Sequence, residues 1–209
     1  MPAPRSIVTA LAPVATALGV NAVPVAAVFA ADAPPETVMV LYFMENLVTV
    51  LLTAALVRLL APARDESSRN HRTRRSLLQT YLLVALGFTL VNGVFIATFV
   101  GLFLRVAIPR PVLVLGLGLI IIFELIAFAA GYFRLRPLSI ARAESVLERT
   151  LGRVFLLHLG VFIGVFLAAA FASWFVWPFI VLKTITDVGQ ALQALGRRAP
   201  DGAPEAPPA

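Results

Sequence analysis

Four ionisable side chains stand in stretches of the sequence that are otherwise apolar. An ionised side chain at the centre of a membrane costs roughly 2.5–3.5 kcal/mol, so such residues are paired, neutral or functional. Acids and bases in this setting can bind an ion, a proton or a polar ligand. They can also form a buried ionic clamp that fixes the register of packed helices. The four residues are Glu45, Glu124, Lys183 and Asp187.

The depth of these residues along their helices predicts which of them meet. At about 1.5 Å of rise per residue, Glu45 and Lys183 each lie about eight residues from the outer ends of their apolar stretches. Asp187 lies one turn deeper, and His158, counted from the inner side, reaches a similar level. We therefore expect Glu45 to pair with Lys183, and Asp187 to pair with His158.

Helical spacing places further polar residues on stripes, because residues three or four positions apart share one helix face. Lys183 and Asp187 are four residues apart, so they can also pair within their own helix. On the second apolar stretch the stripe consists of Tyr42, Glu45, Asn46, Thr49 and Thr53. The uncharged members of the predicted intramembrane polar cluster are Asn21, Asn46, Asn92 and His158.

A stripe of small residues marks the fifth apolar stretch. Gly160, Gly164 and Ala168 repeat every four residues, a pattern that permits close approach of two helices. We interpret this stripe as a packing surface within the molecule.

Motifs for catalysis and for cofactor binding are missing from the sequence. It contains no HExxH, GxSxG, P-loop or paired-aspartate motif. It also has no cysteine and only two histidines, which excludes disulfides, thiol catalysis and a histidine-built metal centre. We therefore predict no catalytic residue, no metal and no cofactor, and an intramembrane or lipid-modifying enzyme is the least favoured class of function.

The composition requires that most of this chain be dissolved in lipid. Soluble domains carry about 45–50% apolar and about 25% charged residues. This chain of 209 residues is 60% hydrophobic and 13% charged, and its mean hydropathy is +0.92. Its formal net charge of +6 is explained by arginine-rich loops at a membrane surface rather than by nucleic-acid binding.

Charged residues divide the chain into apolar stretches that are each long enough to cross a membrane. A bilayer core of about 30 Å needs about 20 apolar residues in a helix. We predict an all-α bundle of six transmembrane helices in a single domain over residues 1–195. A short interfacial helix over 138–153 and a disordered tail over 196–209 complete the chain. The predicted spans are residues 7–30, 38–57, 77–104, 112–133, 154–172 and 175–195.

The basic residues predict the orientation of the bundle. With six spans and both termini in the cytoplasm, 14 basic residues fall on the inner side and two on the outer side. Sixteen of the 17 basic residues are arginine, a bias typical of GC-rich bacterial genomes. We therefore expect a multi-pass protein of a bacterial inner membrane. Its partner is the lipid bilayer, together with an unidentified solute, ion or membrane protein.

The first apolar stretch has a second interpretation. Arg5, the apolar run and Val28-Phe29-Ala30 resemble a signal peptide with a small-residue cleavage site. The run of 24 residues exceeds the usual signal-peptide core of about 7–15 residues, which favours a transmembrane helix. Cleavage would leave five spans in the same orientation.

Several of these polar residues resemble the signatures of an uncharacterised prokaryotic family of multi-pass membrane proteins, a domain of unknown function. The similarity covers about residues 15–195. Residues 42–46 resemble its Tyr-Trp-x-Glu-Asn signature, and residues 182–187 resemble its closing Leu-Lys-Thr-x-x-Asp. Asn21 with Pro24 resembles its Asn-x-x-Pro element, and Leu157-His158 resembles its Leu-His element.

The chain departs from the pattern of that family at three places. Phe43 replaces the tryptophan, Asn92-Gly93 stands where the family often has His-Gly, and Ala85-Leu86-Gly87 stands in place of an upstream His-Tyr-Gly. If those histidines bind a metal or move protons in relatives, this chain has lost that capacity. The resemblance implies no activity.

Two classes of function therefore remain open beside the enzyme. The first is a small transporter or an ion- or proton-coupled carrier, in which Glu45, Glu124, Lys183 and Asp187 line a cavity at the midplane. The second is a non-catalytic scaffold or accessory subunit, in which the same charges hold the helices together.

Overall fold

The computed structural model describes residues 7–60, 68–105, 107–135, 139–171 and 176–196. Within these ranges the protein is all-α, with no strand. A six-residue π-helical segment, Phe99–Leu104, directly continues α3. The α-helices are α1 Ile7–Phe29, α2 Glu36–Leu59, α3 Ser68–Thr98, α4 Arg110–Arg134, α5 Ile140–Phe171 and α6 Val176–Gly196.

The ends of the helices follow from residues that the sequence places there. Pro35 precedes the first residue of α2, and Pro109 precedes that of α4. Proline suits this position because the first amides of a helix have no carbonyl partner within it. At the other end of α2, the Arg74 guanidinium donates hydrogen bonds to the carbonyl oxygens of Val57 and Leu60. These carbonyls belong to the last turn of α2, which a helix by itself leaves unsatisfied.

Three helical stretches among the described residues are long and apolar enough to cross a membrane. They are Glu36–Leu59, Thr73–Gly101 and Arg110–Arg134, with mean hydropathies of 1.9, 2.2 and 2.8. Large apolar side chains on the outside of the bundle, such as Leu83 at 78% exposure and Val114 at 72%, suit a lipid surface. This architecture is compatible with a membrane protein. Six crossings and the side on which the termini lie stay predictions.

Helix α5 is longer than the sequence predicts. We expected a separate interfacial helix over residues 138–153, but α5 runs without a break from Ile140 to Phe171. Its first half carries Ala143 and Leu147 at a four-residue spacing, and both are buried in one apolar cluster with Val154. The amphipathic pattern therefore reflects packing of the first half of α5 against the bundle. The predicted tail lies outside the described residues from residue 197 onward.

Helix α2 is the central helix of the bundle and packs against α1, α3, α4 and α5. Near its start, Met39 and Tyr42 are buried in an apolar cluster with residues of α3, α5 and α6. Near its end, Val50 and Ala54 are buried in a second apolar cluster with residues of α3 and α5. The polar turn of α2 around Glu45 therefore lies between two apolar layers.

Close approach between α2 and α4 depends on a glycine. A Cβ atom on Gly116 would lie 2.8 Å from Cδ2 of the buried Leu41 and 3.6 Å from Cγ1 of Val23. On the same helix, a Cβ atom on the exposed Gly118 would meet none of the described atoms within 4 Å. Gly116 thus lets α4 approach α1 and α2, whereas Gly118 faces outward.

We expect Gly116→Val to lower the free energy of unfolding by about 1–3 kcal/mol relative to Gly118→Val, because an inserted side chain overpacks the α1–α2–α4 contact. Both variants gain the same helix propensity, so their difference isolates the packing. Thermal unfolding in detergent measures it. Equal unfolding temperatures for the two variants would contradict this account of the contact.

Candidate functional site

Five charged side chains from four helices meet in the polar layer between the two apolar clusters. Each side chain is within ion-pair distance of at least one other. We call this group the charge cluster. It consists of Glu45 of α2, Glu124 of α4, Arg153 of α5, and Lys183 and Asp187 of α6.

Lys183 joins α6 to α2 and α1. Its Nζ atom lies 2.9 Å from Oε1 of Glu45 and 2.6 Å from Oδ2 of Asp187, one turn further along α6. The same atom lies 3.3 Å from Oδ1 of Asn21 and 4.5 Å from the ring centroid of Tyr42, a cation–π distance. The predicted pairing of Glu45 with Lys183 is therefore a contact in the structure.

Arg153 touches all three carboxylates of the charge cluster. Its Nη2 atom contacts Oε1 of Glu45, and its Nε atom lies 3.2 Å from Oδ1 of Asp187. Its Nη1 atom lies 3.7 Å from Oε1 of Glu124. A guanidinium suits this position because its planar array of donors can serve several acceptors at once.

Arg153 is a site residue that the sequence did not predict. It ends the predicted interfacial helix over residues 138–153, whereas α5 continues through it. The charge balance was the available signal. Three acids and one base in the apolar stretches leave two negative charges unpaired, so a second cation had to come from a neighbouring residue.

Asn21 connects α1 to the charge cluster. Its Nδ2 atom donates to Oδ2 of Asp187 at 2.9 Å and to the backbone oxygen of Ala17 at 2.8 Å. Its Oδ1 atom accepts from Lys183 and from the Tyr42 hydroxyl. The amide is thereby held with its oxygen toward the cation and its nitrogen toward the carboxylate.

Glu124 is the carboxylate that the cations contact least. Its Oε1 atom lies 2.9 Å from the Thr49 hydroxyl of α2, and Arg153 at 3.7 Å is its only cationic partner among the described residues. The hydroxyl of Thr49 also lies 2.9 Å from the backbone oxygen of Glu45. Glu124 therefore joins the cluster mainly through a hydroxyl.

Asn46 lies beside the charge cluster and joins α2 to α3. Its Nδ2 atom donates to the Thr89 hydroxyl at 3.0 Å, and Thr89 donates to the backbone oxygen of Ala85 at 2.7 Å. Both side chains are buried. This contact extends the polar layer to α3, which contributes no charge to the cluster.

The predicted pairing of Asp187 with His158 is wrong. Asp187 is held by Arg153, Lys183 and Asn21. The imidazole of His158 instead lies edge-on to aromatic rings of α3 and α5, and its buried Nδ1 atom has no hydrogen-bond partner among the described residues. At about 100° of rotation per residue, His158 is about 140° around α5 from Arg153, so depth alone misplaced it.

Asn92 is also buried without a charged partner. Its Oδ1 atom has no hydrogen-bond partner within the described part of the chain. Of the eight residues in the predicted polar cluster, the structure brings five into one connected network. Asn46 lies next to that network, and His158 and Asn92 lie apart from it. The five are Asn21, Glu45, Glu124, Lys183 and Asp187.

A narrow cleft between α5 and α6 reaches the charge cluster. Its volume is about 20 Å³, and Arg153, Lys183 and Asp187 form its charged lining. A water molecule needs about 10–15 Å³ by this measure, so the cleft holds about one water. Gly160 lines the same cleft. The surroundings of Gly164 and Ala168 are not among those that the structure describes.

The charge cluster does not balance when every member is ionised. Its three carboxylates face two cations, which leaves one negative charge in excess. In addition, the Oε2 atom of Glu45 is buried and has no hydrogen-bond partner among the described residues. The cluster is thus short of one positive charge and of at least one hydrogen-bond donor.

The chain belongs to a family of unknown function, DUF6498, whose sequence model matches residues 3–206. No curated protein and no solved structure matches the chain. Membership of a family of unknown function is thereby confirmed over nearly the whole chain. The signature motifs and the prokaryotic origin stay predictions.

We expect Arg153→Met to lower the free energy of unfolding by about 3–5 kcal/mol, because it removes a buried ion-pair partner and leaves three carboxylates with one cation. Arg149→Met is the matched control on the same helix. Arg149 is exposed and its guanidinium donates to the Ser145 hydroxyl, so its loss changes the free energy by less than about 0.5 kcal/mol. Chemical unfolding in detergent measures both. Similar losses would show that Arg153 does not hold the cluster.

Proposed function

We propose that this protein is a multi-pass carrier of protons or small cations in a bacterial cytoplasmic membrane, and that the charge cluster is its coupling site. One observation carries this proposal, namely the excess of one carboxylate over the cations in a layer that apolar clusters enclose on both sides. An unpaired carboxylate in such a layer is costly, and binding one proton or one monovalent cation removes the cost.

The size of the cleft favours a proton or a small ion over an organic solute. At about 20 Å³ it admits about one water molecule to Arg153, Lys183 and Asp187. The side chain of Arg153 is 21% exposed, whereas that of Glu45 is 1% exposed. The cleft therefore leaves one side of the cluster open while the other side stays enclosed, as a coupling site requires.

The distribution of arginines supports the topology that this function needs. Six crossings with both termini in the cytoplasm put the arginines in the first ten residues of α3 and of α5 on the inner side. The charge cluster then lies within the hydrocarbon region. In this arrangement the four helices that contribute its charges, α2, α4, α5 and α6, cross the membrane. The bilayer is the surrounding solvent.

A scaffold or accessory subunit is the second candidate, and the connectivity of the cluster favours it. Helices α1, α2, α4, α5 and α6 each contribute a side chain to one network, and Oε1 of Glu45 contacts both cations. Such a network can act as an ionic clamp without moving an ion. In a carrier, a proton or cation that neutralises the excess charge exchanges with water. In a scaffold, no such exchange takes place.

Flux through reconstituted liposomes tests the carrier. We expect the wild-type protein to dissipate an imposed pH or cation gradient faster than empty liposomes. Glu45→Gln should reduce this flux to the background, because it removes the excess negative charge.

Glu36→Gln is the matched control for the flux, since it removes an acid of α2 outside the cluster. It should keep the wild-type rate. Equal rates for wild type, both variants and empty liposomes would reject the carrier.

A double-mutant cycle tests the clamp. We expect Glu45→Gln and Lys183→Met each to destabilise the protein, and the double variant to lose about 0.5–3 kcal/mol less than their sum, because the two side chains are in contact. Thermal and chemical unfolding in detergent measure the coupling. Strictly additive losses would reject the clamp, and coupling without any flux would favour the scaffold.

A further inference from the structure

Thr49 has two hydrogen-bond acceptors and one hydrogen to share between them. Its Oγ1 atom lies 2.9 Å from Oε1 of Glu124 and 2.9 Å from the backbone oxygen of Glu45. A hydroxyl donates once and accepts through two lone pairs. The carbonyl oxygen carries no hydrogen. Both contacts are therefore separate two-centre hydrogen bonds only when the carboxyl of Glu124 carries a proton and donates it to Thr49.

Glu124 is also the carboxylate at which an added proton displaces the fewest ionic contacts. Glu45 and Asp187 each contact both cations of the cluster, at distances that include 2.9 Å and 2.6 Å. Glu124 has Arg153 at 3.7 Å, beyond normal hydrogen-bond length. Protonating Glu124 therefore breaks no short ion pair.

We propose that Glu124 is the residue that takes up and releases the exchangeable proton of the charge cluster, with the Thr49 hydroxyl as its hydrogen-bond switch. In the ionised state Thr49 donates to Glu124. When a proton binds to the carboxylate, the new O–H of Glu124 donates to Oγ1 of Thr49, and the Thr49 hydrogen turns to the backbone oxygen of Glu45. The charge of the cluster changes from one negative to zero, and no other bond forms or breaks.

The groups around Glu124 favour a proton over a metal cation. Helix α4 packs against α1 and α2, of which α1 brings no titratable side chain and α2 brings Glu45 and Tyr42. Across the cluster, Arg153 of α5 and Lys183 of α6 face the same carboxylates. These two cations already occupy carboxylate oxygens that a metal would need, and they would repel it. A proton adds no volume and supplies the positive charge that the cluster lacks.

This inference names the proton-binding residue of the proposed coupling site. It rests on the proposed function only in assuming that the bound proton takes part in transport. Proton binding itself is measured without transport, by infrared spectroscopy of the full-length protein in detergent. We expect a carbonyl band of a protonated carboxylic acid at neutral pH in the wild-type protein, which disappears at high pH. Glu124→Gln should remove this band.

Thr49→Val should shift the band to the frequency of a carboxylic acid without a hydrogen-bond acceptor. Thr53→Val is the matched control. Thr53 lies one turn further along α2, and its hydroxyl contacts Thr150 at 3.5 Å instead of Glu124. It should leave the band at its wild-type frequency.

Thermal unfolding separates this proposal from a structural role of an ionised Glu124. The amide of glutamine has the shape of the protonated acid and can donate to Thr49, so Glu124→Gln should unfold within a few degrees of wild type at neutral pH, whereas Glu124→Ala should unfold at a lower temperature. If Arg153 needed an ionised Glu124, the unfolding temperature of the glutamine variant would fall as far as that of the alanine variant.

The outcomes for the proton and for the carrier are distinguishable. A protonated-acid band that persists in Glu124→Gln, or its absence from the wild type, overturns the assignment to Glu124 whatever the flux. A band that Glu124→Gln removes, in a protein that conducts neither protons nor cations, upholds the proton site and rejects the carrier.

Discussion

The contact of one guanidinium with three carboxylates is the interaction on which the rest of the bundle depends. Charges buried between apolar layers are stable only when they are paired with good geometry, and breaking such a pair costs more than forming it contributes. Arg153 makes its contacts to acids that stand on α2, α4 and α6. The register of these three helices relative to α5 is therefore tied to the reach of a single side chain.

Apolar layers on both sides of the cluster strengthen the electrostatic interactions between its charges. Tyr42 and Val50 mark the two layers on α2, and Glu45 lies between them with 1% of its surface exposed. Away from water, electrostatic interactions act over longer distances and unpaired groups become more costly. The same enclosure that stabilises the ion pairs thus destabilises the one negative charge of the cluster that has no matching cation.

The length of each apolar stretch largely predicts where the helices lie, because lipid and helix geometry set the number of residues that a span needs. Depth along a helix also predicts that Glu45 and Lys183 meet, which they do. It does not predict the direction in which a side chain points around the helix. That is why His158 was expected beside Asp187 and lies among aromatic rings instead. Arg153 was missed for a different reason. The same pattern of apolar and charged residues is typical both of a helix on a membrane surface and of a segment that continues a buried helix.

The unbroken course of α5 connects the charge cluster to the exposed first part of that helix. With 32 residues the helix is about 48 Å long, which exceeds the roughly 30 Å core of a bilayer. Arg153 lies about 20 Å from the first residue of α5, and the exposed Arg142 and Arg149 stand on the part between them. A tilt of this first part would therefore move the guanidinium of Arg153 against its three carboxylates.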